Sequence, residues 1–331
     1  MTNKCLEVIT QKIEKNNNIA IFFHETPDLD ALGCAYAMKF FLQNKWPNKN
    51  IKIVGLDNLD SFFFNDLFFI DRTYVPNSFL TNSFGIIFDT SNSARVWSQR
   101  HNFCHELARI DHHPHTEVFA DYEWIDPKYP ATCQMIAEWL LSWDPKCVTP
   151  PVCNYLYAGI ITDTNRMLYD SVLPSTYCIV SKLYELGCNR SKIHNIVYQK
   201  SINYALFSAK VLNLAKFDEK LGFAWVKIPK NLFTKYKIVG RMSMVHVLNN
   251  LKGVKIWLAF YYDEVAKKWK GSLRSKSLPI NQIAIKYHGG GHILAAGFTI
   301  DKHHEFKTII KDIKKYLNSN MQKYKNTYQK G

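Results

Sequence analysis

The chain has 331 residues, 47% hydrophobic and 14% aromatic, which supports two folded cores and excludes an intrinsically disordered polymer. Its 42 Lys and Arg against 28 Asp and Glu leave a net charge of +14, some of it on scattered lysines, and favour an anionic partner such as a nucleotide or nucleic acid. Eight cysteines with neither CxxC pairing nor regular spacing exclude a disulfide-built secreted scaffold and point to free thiols in a reducing, cytoplasmic compartment.

The first eighteen residues, MTNKCLEVITQKIEKNNN, are amphipathic and charged and have no apolar stretch of the signal-peptide kind. After them, strand and helix patterns alternate. Residues 19–24 read as a strand, 29–44 as a helix, 50–56, 84–89 and 107–111 as further strands, and 131–143 and 152–161 as helices. The most apolar window, residues 61–70, is too short and too polar at its centre to span a bilayer, and reads as a core or interdomain segment. This alternation predicts an α/β fold with a doubly wound parallel sheet over residues 1–187.

Residues 176–187, 191–200 and 203–215 are purely helical in pattern, with no Gly/Ser-rich linker, and residues 188–217 are expected to form a helical connector. From Gly222 the pattern changes again: strands at 223–228, 255–262 and 268–274, helices at 242–251, 280–287 and 306–317. That predicts a smaller α+β domain with a mixed sheet over residues 218–318. Residues 319–331 form a basic tail, expected to fray from Asn318.

The first strand leads into His24-Glu25-Thr26-Pro27-Asp28-Leu29-Asp30-Ala31-Leu32-Gly33. Pro27 is expected to keep Thr26 extended, and Gly33 to allow close packing of the helix, or of a ligand, against the strand end. One His and two Asp on an exposed turn make an oxygen-rich cation site; the alternative is an N-cap Asp among solvated polar residues. Three more apolar segments end in similar chemistry: Asp89, then Asp111-His112-His113-Pro114-His115, then Thr162-Asp163-Thr164. Singly, Asp89 could cap its own turn, the histidines could be surface residues, and Asp163 could be an N-cap. Jointly, a doubly wound sheet can bring all four segments to one edge. Four crowded carboxylates repel and hold protons unless cations fill the site. Such carboxylate-rich ligation suits Mn²⁺ or Mg²⁺ better than thiolate-seeking metals.

These residues resemble the motifs of the DHH phosphoesterases. HETPDLDALG is similar to the His-x-x-x-Asp-x-Asp motif, Asp89 to the second motif, Asp111-His112-His113 to the name-giving third and Asp163 to the fourth. Arg274-Ser275-Lys276 and Gly289-Gly290-Gly291-His292 resemble the motifs of the DHH-associated domain, in the branch of NrnA-type oligoribonucleases and pAp phosphatases. The resemblance covers about residues 15–318, and the combination of DHH with GGGH is specific where each motif alone is weak. One departure is Cys34, where family members commonly carry Ser.

The resemblance implies two divalent metal ions, Mn²⁺ by preference and Mg²⁺ as the alternative. His24, Asp28, Asp89 and Asp163 would hold one and Asp30, Asp89, His112 and Asp163 the other, activating water for attack on phosphorus. Asp111 would orient an imidazole of the pair, and His113 would donate to a phosphate oxygen. Backbone amides of Gly289, Gly290 and Gly291, with His292, would approach a phosphate, while Arg274, Ser275 and Lys276 would clamp it. The implied substrates are very short RNA, dinucleotides such as pApA, and pAp, with no membrane partner; a homodimer is compatible. A cyclic di-AMP phosphodiesterase of the same architecture is the alternative enzyme. GGGH argues against an inorganic pyrophosphatase, and the full ligand set argues against an inactive binding module.

Overall fold

The computed structural model describes residues 4–58, 67, 68, 70–238, 244–264, 266–300 and 305–328, with the side chains of 58, 292 and 321–328 left out. The chain divides into two compact units, residues 1–199 and 200–331. This division falls within the stretch expected to connect the domains.

In the first unit the elements run α1 (Lys4–Lys15), β1 (Asn18–Phe22), α2 (Leu29–Lys45), β2 (Asn50–Ile53), α3 (Asn77–Leu80), β3 (Phe84–Phe88), β4 (Glu106–Asp111), β5 (Tyr122–Ile125), α4 (Thr132–Trp143), α5 (Pro150–Asp163), α6 (Pro174–Glu185) and α7 (Arg190–Tyr198). The strands form a parallel sheet in the order β2-β1-β3-β4-β5. Alternate strand residues feed two cores. Ile19, Ile21 and Phe23 join Phe84, Ile86 and Phe88 beneath α2, α4 and α5, while Ala20, Phe22 and Ile87 face a smaller core with Val75, Leu80 and Val96. Burial on both faces explains why these strands read as continuous apolar runs. In this strand order the direction of winding reverses between β1 and β3, so the crevice that receives ligands opens past the ends of those two strands.

The second unit comprises α8 (Ile202–Leu214), β6 (Lys216–Asp218), β7 (Phe223–Lys227), α9 (Lys230–Lys235), β8 (Ile256–Asp263), β9 (Lys268–Ser275), α10 (Asn281–Lys286), β10 (Gly290–His292), β11 (Ala295–Ile300) and α11 (Glu305–Tyr328). Its mixed sheet runs β10-β11-β9-β8-β7-β6, with β7 and β8 parallel and the other pairs antiparallel. Ile256, Leu258 and Phe260 pack with Ile309, Ile313 and Leu317 of α11 on one face. Trp257 and Ala259 pack with Phe207, Val211, Met244 and Leu248 on the other. The expected fold class therefore holds: a doubly wound parallel sheet, helices, then a mixed sheet.

Several local expectations are corrected. β5, β6, β10 and β11 are strands that the pattern did not reveal; three of them span only three or four residues and depend on pairing with a neighbour. The helix expected at 242–251 is a 3₁₀ turn, Met244–Leu248, with residues 242 and 243 outside the described residues. Weak helix formers and Asn250 in the left-handed region (φ 60°) end it early. The expected frayed tail is instead helical as far as Tyr328, since residues 318–328 contain neither Gly nor Pro to stop α11. Of the apolar window at 61–70, residues 61–66 and 69 lie outside the described residues; Phe68 is buried and stacks on Tyr155. Among the described residues no helix is long and apolar enough to cross a membrane. All eight cysteines are free thiols.

Candidate metal centre

The site is assembled at the crevice past β1 and β3. His24 follows β1, and its backbone is pinned by an isolated bridge to Val96, with Glu25 N–H donating to Arg95 O (2.6 Å). Thr26 is not extended as expected but left-handed (φ 51°), so the demands of the turn override the preference of a pre-proline residue. Asp28 then serves as N-cap of α2, its Oδ1 accepting from the Asp30 and Ala31 amides (3.0 Å each). The N-cap and ligand readings of Asp28 are thus compatible, because the same Oδ1 lies 3.6 Å from His24 Nε2. Gly33 packs close to a neighbour, though not to the strand end: a Cβ there would lie 2.7 Å from Tyr155 O and 2.8 Å from Cys133 Sγ. It is the approach of α5 and α4 that needs this glycine.

Asp89 follows β3, buried and left-handed (φ 55°), a conformation that Asp tolerates. It does not cap its own turn. Its Oδ2 lies 3.4 Å from His24 Nε2 and its Oδ1 3.5 Å from His112 Nε2, while Thr132 Oγ1 donates to Oδ1 (3.0 Å). His112 follows β4, half-buried, with Nε2 3.5 Å from Asp163 Oδ2 as well. Asp163 is the last residue of α5 and not an N-cap. The side chains expected at the site fall into overlapping groups with ligand atoms within 4.8 Å of one another: His24, Asp28 and Asp89; Asp30, His112 and Asp163; Asp89, His112 and His113. Asp163 is thus grouped with Asp30 and His112, not with His24 and Asp28.

The electrostatics describe a site short of positive charge. His24 Nδ1 faces Glu25 O (2.6 Å) and His112 Nδ1 faces Tyr129 O (3.2 Å). A carbonyl only accepts, so Nδ1 carries the hydrogen in both rings and each Nε2 is turned towards carboxylate oxygens. His112 Nε2 is buried without a hydrogen-bond partner. Burial opposes charge on His24, but Asp28 and Asp89 outweigh it and push the imidazole up to about 11. Burial, then the Asp89 carboxylate, push Asp30 up to about 7. Burial and the Asp30, Asp28 and Asp89 carboxylates push Asp163 well above the usual range. Protons are held here in the absence of cations, and an orphaned Nε2 amid four carboxylates is a donor set suited to hard divalent ions.

Sequence reasoning missed the support for this cluster. The N-cap of α4 is Ala131, which has no capping side chain; Asp30 caps the helix from α2 instead, accepting from Thr132 N (2.7 Å) and Cys133 N (2.8 Å). Thr132 also accepts from the His112 amide (3.3 Å), so one threonine ties three of the motif segments together. Its position at the start of a predicted helix, after Pro130, was the available signal. Behind Asp30, the Cys34 and Cys133 sulfurs lie 3.5 Å apart in full burial. Burial raises both thiols and keeps them protonated there.

Asp111, fully buried, accepts from His113 Nδ1 (2.8 Å) and the His113 amide (3.0 Å). Burial would raise its carboxyl, but the bonds from His113 and Arg109 prevail and lower it to about 2. In the second unit, Arg274 is paired in register with Ala295, which is paired with His292, so the two motifs meet in one row across β9, β11 and β10. Arg274 Nη1 donates to Leu273 O (2.9 Å), Ser275 Oγ accepts from Leu278 N (2.8 Å), and Lys276 Nζ donates to Leu251 O (3.2 Å). The His292 side chain lies outside the described residues. Within the run of three glycines, Gly289 is packed against Gly297 and Phe298, and Gly291 (φ 135°) against Ala295 and Ala296, while Gly290 has open space where a Cβ would stand.

Residues 18–160 match the DHH family, N-terminal domain, and residues 232–319 match the DHHA1 domain. An uncharacterised protein of Mycoplasma pneumoniae, the MG371 homologue, is 40% identical over 309 residues, 93% of this chain and 94% of its own length. The chain belongs to the DHH family of phosphoesterases. This DHH protein is also 27% identical, over 317 residues, to the bifunctional oligoribonuclease and PAP phosphatase NrnA of the same bacterium, a match covering 92% of this chain and 94% of that one. Its fold is similar to that of an exopolyphosphatase-related protein from Bacteroides fragilis, with a TM-score of 0.84 at 21% identity over 96% of this DHH chain and 98% of the other.

Proposed function

We propose that this DHH-family protein hydrolyses phosphoesters of very short nucleotides, cleaving dinucleotides and other short RNA to 5′-mononucleotides and removing the 3′-phosphate of pAp. The observation that carries the reading is the convergence of His24, Asp28, Asp30, Asp89, His112 and Asp163, with His112 Nε2 buried and unpartnered among the carboxylates. In this reading His24, Asp28 and Asp89 would hold one divalent cation, and Asp30, Asp89, His112 and Asp163 a second. Mn²⁺ is the preferred ion and Mg²⁺ the alternative. When bound, the pair supplies an activated water and neutralises charge at phosphorus.

The chain's own residues supply the rest. Asp30, held by two α4 amides, and Asp28, held by two α2 amides, keep their oxygens in place before any ion arrives. His113, its Nδ1 committed to Asp111, would donate through Nε2 to a phosphate oxygen and stabilise charge that builds there in the transition state. Arg274 and Lys276 bind a terminal phosphate, and the open backbone at Gly290 admits it closely. The DHHA1 match and the NrnA-type relatives support a substrate of nucleotide size.

The test is a panel: the Mn²⁺-loaded protein offered a 5′-labelled dinucleotide, a 24-mer RNA, pAp and cyclic di-AMP. Rapid conversion of the dinucleotide and pAp, with the 24-mer spared, is the expected result. Turnover of cyclic di-AMP alone would shift the assignment to a cyclic dinucleotide phosphodiesterase, and no turnover of any of the four with metal bound would overturn it.

A further inference from the structure

Arg109 is the largest fully buried side chain described in this protein, and it lies two residues before Asp111 on the same face of β4. Two apolar groups flank it: Ile87 is its register partner on β3, and the Phe119 ring lies 4.9 Å from the guanidinium carbon. A buried guanidinium in such a place is expensive, and one of its donors, Nε, has no hydrogen-bond partner. A branched aliphatic residue would avoid that penalty only by leaving the buried Asp111 carboxylate without its cation.

What the guanidinium does instead is bind together the loops that carry the site. Nη2 donates to the Asp111 carboxylate (Oδ2, 2.9 Å) and to Ser91 O (3.1 Å), in the loop after Asp89. Nη1 donates to Glu117 O (2.8 Å) and faces Glu123 Oε1 (3.4 Å), its register partner on β5. The two Asp111 oxygens are divided: Oδ2 goes to Arg109, and Oδ1 to the His113 ring and amide.

We propose that Arg109 is a positioning residue for His113, locking the Asp111 carboxylate so that the imidazole is held in one tautomer and one orientation towards the substrate. Its role in turnover rests on the proposed phosphoesterase reading; its control of the imidazole does not. With Arg109 in place, Asp111 cannot rotate to share either oxygen differently without breaking a charge-assisted bond in a dry environment. Without it, Asp111 has a free oxygen, and the ring has two competing acceptors in Asp111 Oδ1 and Asp89 Oδ1, the second only 3.4 Å from His113 Nδ1.

The experiment uses the full chain loaded with Mg²⁺ and ¹⁵N-labelled at histidine. The hydrogen-bonded His113 Nδ1–H resonance is assigned by its loss in His113→Asn. In Arg109→Lys, which keeps the charge but not the two-pronged grip, we expect that resonance to vanish or move, and kcat on the dinucleotide to fall roughly 10- to 100-fold with KM and bound metal little changed. Leu140→Ala, a core truncation in α4, serves as a control of comparable thermal destabilisation and should leave both readouts in place. An Arg109→Lys protein that is folded, with the His113 resonance and kcat intact, would overturn the proposal, as would equal losses in Leu140→Ala. Should the Lys variant fail to fold, Arg109→Gln is read by the same criteria. If the wild type turns over no substrate, the phosphoesterase reading fails, while the resonance still decides the role of Arg109.

Discussion

In the N-terminal unit, four acids and two imidazoles from four separate segments are driven together at the crevice of a parallel sheet; in the C-terminal unit, the Arg274 and GGGH motifs are woven into an antiparallel sheet. The first arrangement is costly to the fold even though Asp28 and Asp30 cap helices: it holds protons that its carboxylates would normally release, and it buries an unpartnered imidazole nitrogen. The second is different, because two of its three glycines are required by the packing of β10 on β11. A damaging mutation therefore means different things in the two units. In the first, loss of Asp28 or Asp30 also removes a helix cap, so bound metal is read beside stability; in the second, stability is read before binding.

The largest effect that would sharpen this contrast is expected from Asp89→Asn, since Asp89 approaches both His24 and His112. We expect loss of bound divalent metal, measured by equilibrium dialysis, and a fall in turnover of roughly 10³-fold or more, about 4 kcal/mol of transition-state stabilisation. An Asp89→Asn protein with normal metal content and turnover would place the chemistry elsewhere.

Next in size is the destabilising charge itself. The folded Asp30 carboxyl sits at about 7, above its ordinary 3.8, so its proton favours the fold. That contribution is fully present below about pH 4 and lost as pH rises through about 7. In chelator-treated protein, denaturant titrations should therefore show Asp30→Asn losing less stability than wild type between pH 4 and 8, by something on the order of 2 kcal/mol. Parallel profiles for the two proteins would break the claim that this carboxylate is stored at a cost to the fold.

Two further effects, of similar size or smaller, test the other unit. Gly289→Ala should lower thermal stability by about 2 kcal/mol, because its Cβ would meet the Gly297 carbonyl and Phe298, whereas Gly290→Ala should fold normally and weaken only substrate binding. Equal stability losses would mean that the run is purely structural. Arg274→Ala should raise KM by roughly 10-fold, worth about 1.4 kcal/mol, with kcat and metal content nearly unchanged. Loss of bound metal in this variant would show that the division of labour between the units is wrong.

Much of this molecule was legible in the residues. Continuous apolar runs such as Phe84–Phe88, buried on both faces, declared a parallel sheet, and each of the four acid- or histidine-bearing segments stood directly after an apolar element. Local pattern carries that information because strand and helix periods are short and depend on neighbours a few residues away. It carries less about strands as short as Gly290–His292, which exist only through their partners, and nothing about the left-handed Thr26.

Tertiary structure alone decided the support of the site. That Asp30 caps a helix about a hundred residues later, that Thr132 joins Asp89 to the His112 amide, and that Arg109 grips Asp111 and Ser91 are facts of packing between distant segments. The physical reason is that a side chain's hydrogen-bond partner depends on which loops the sheet brings alongside it, and strand order is not written in the periodicity of any one strand.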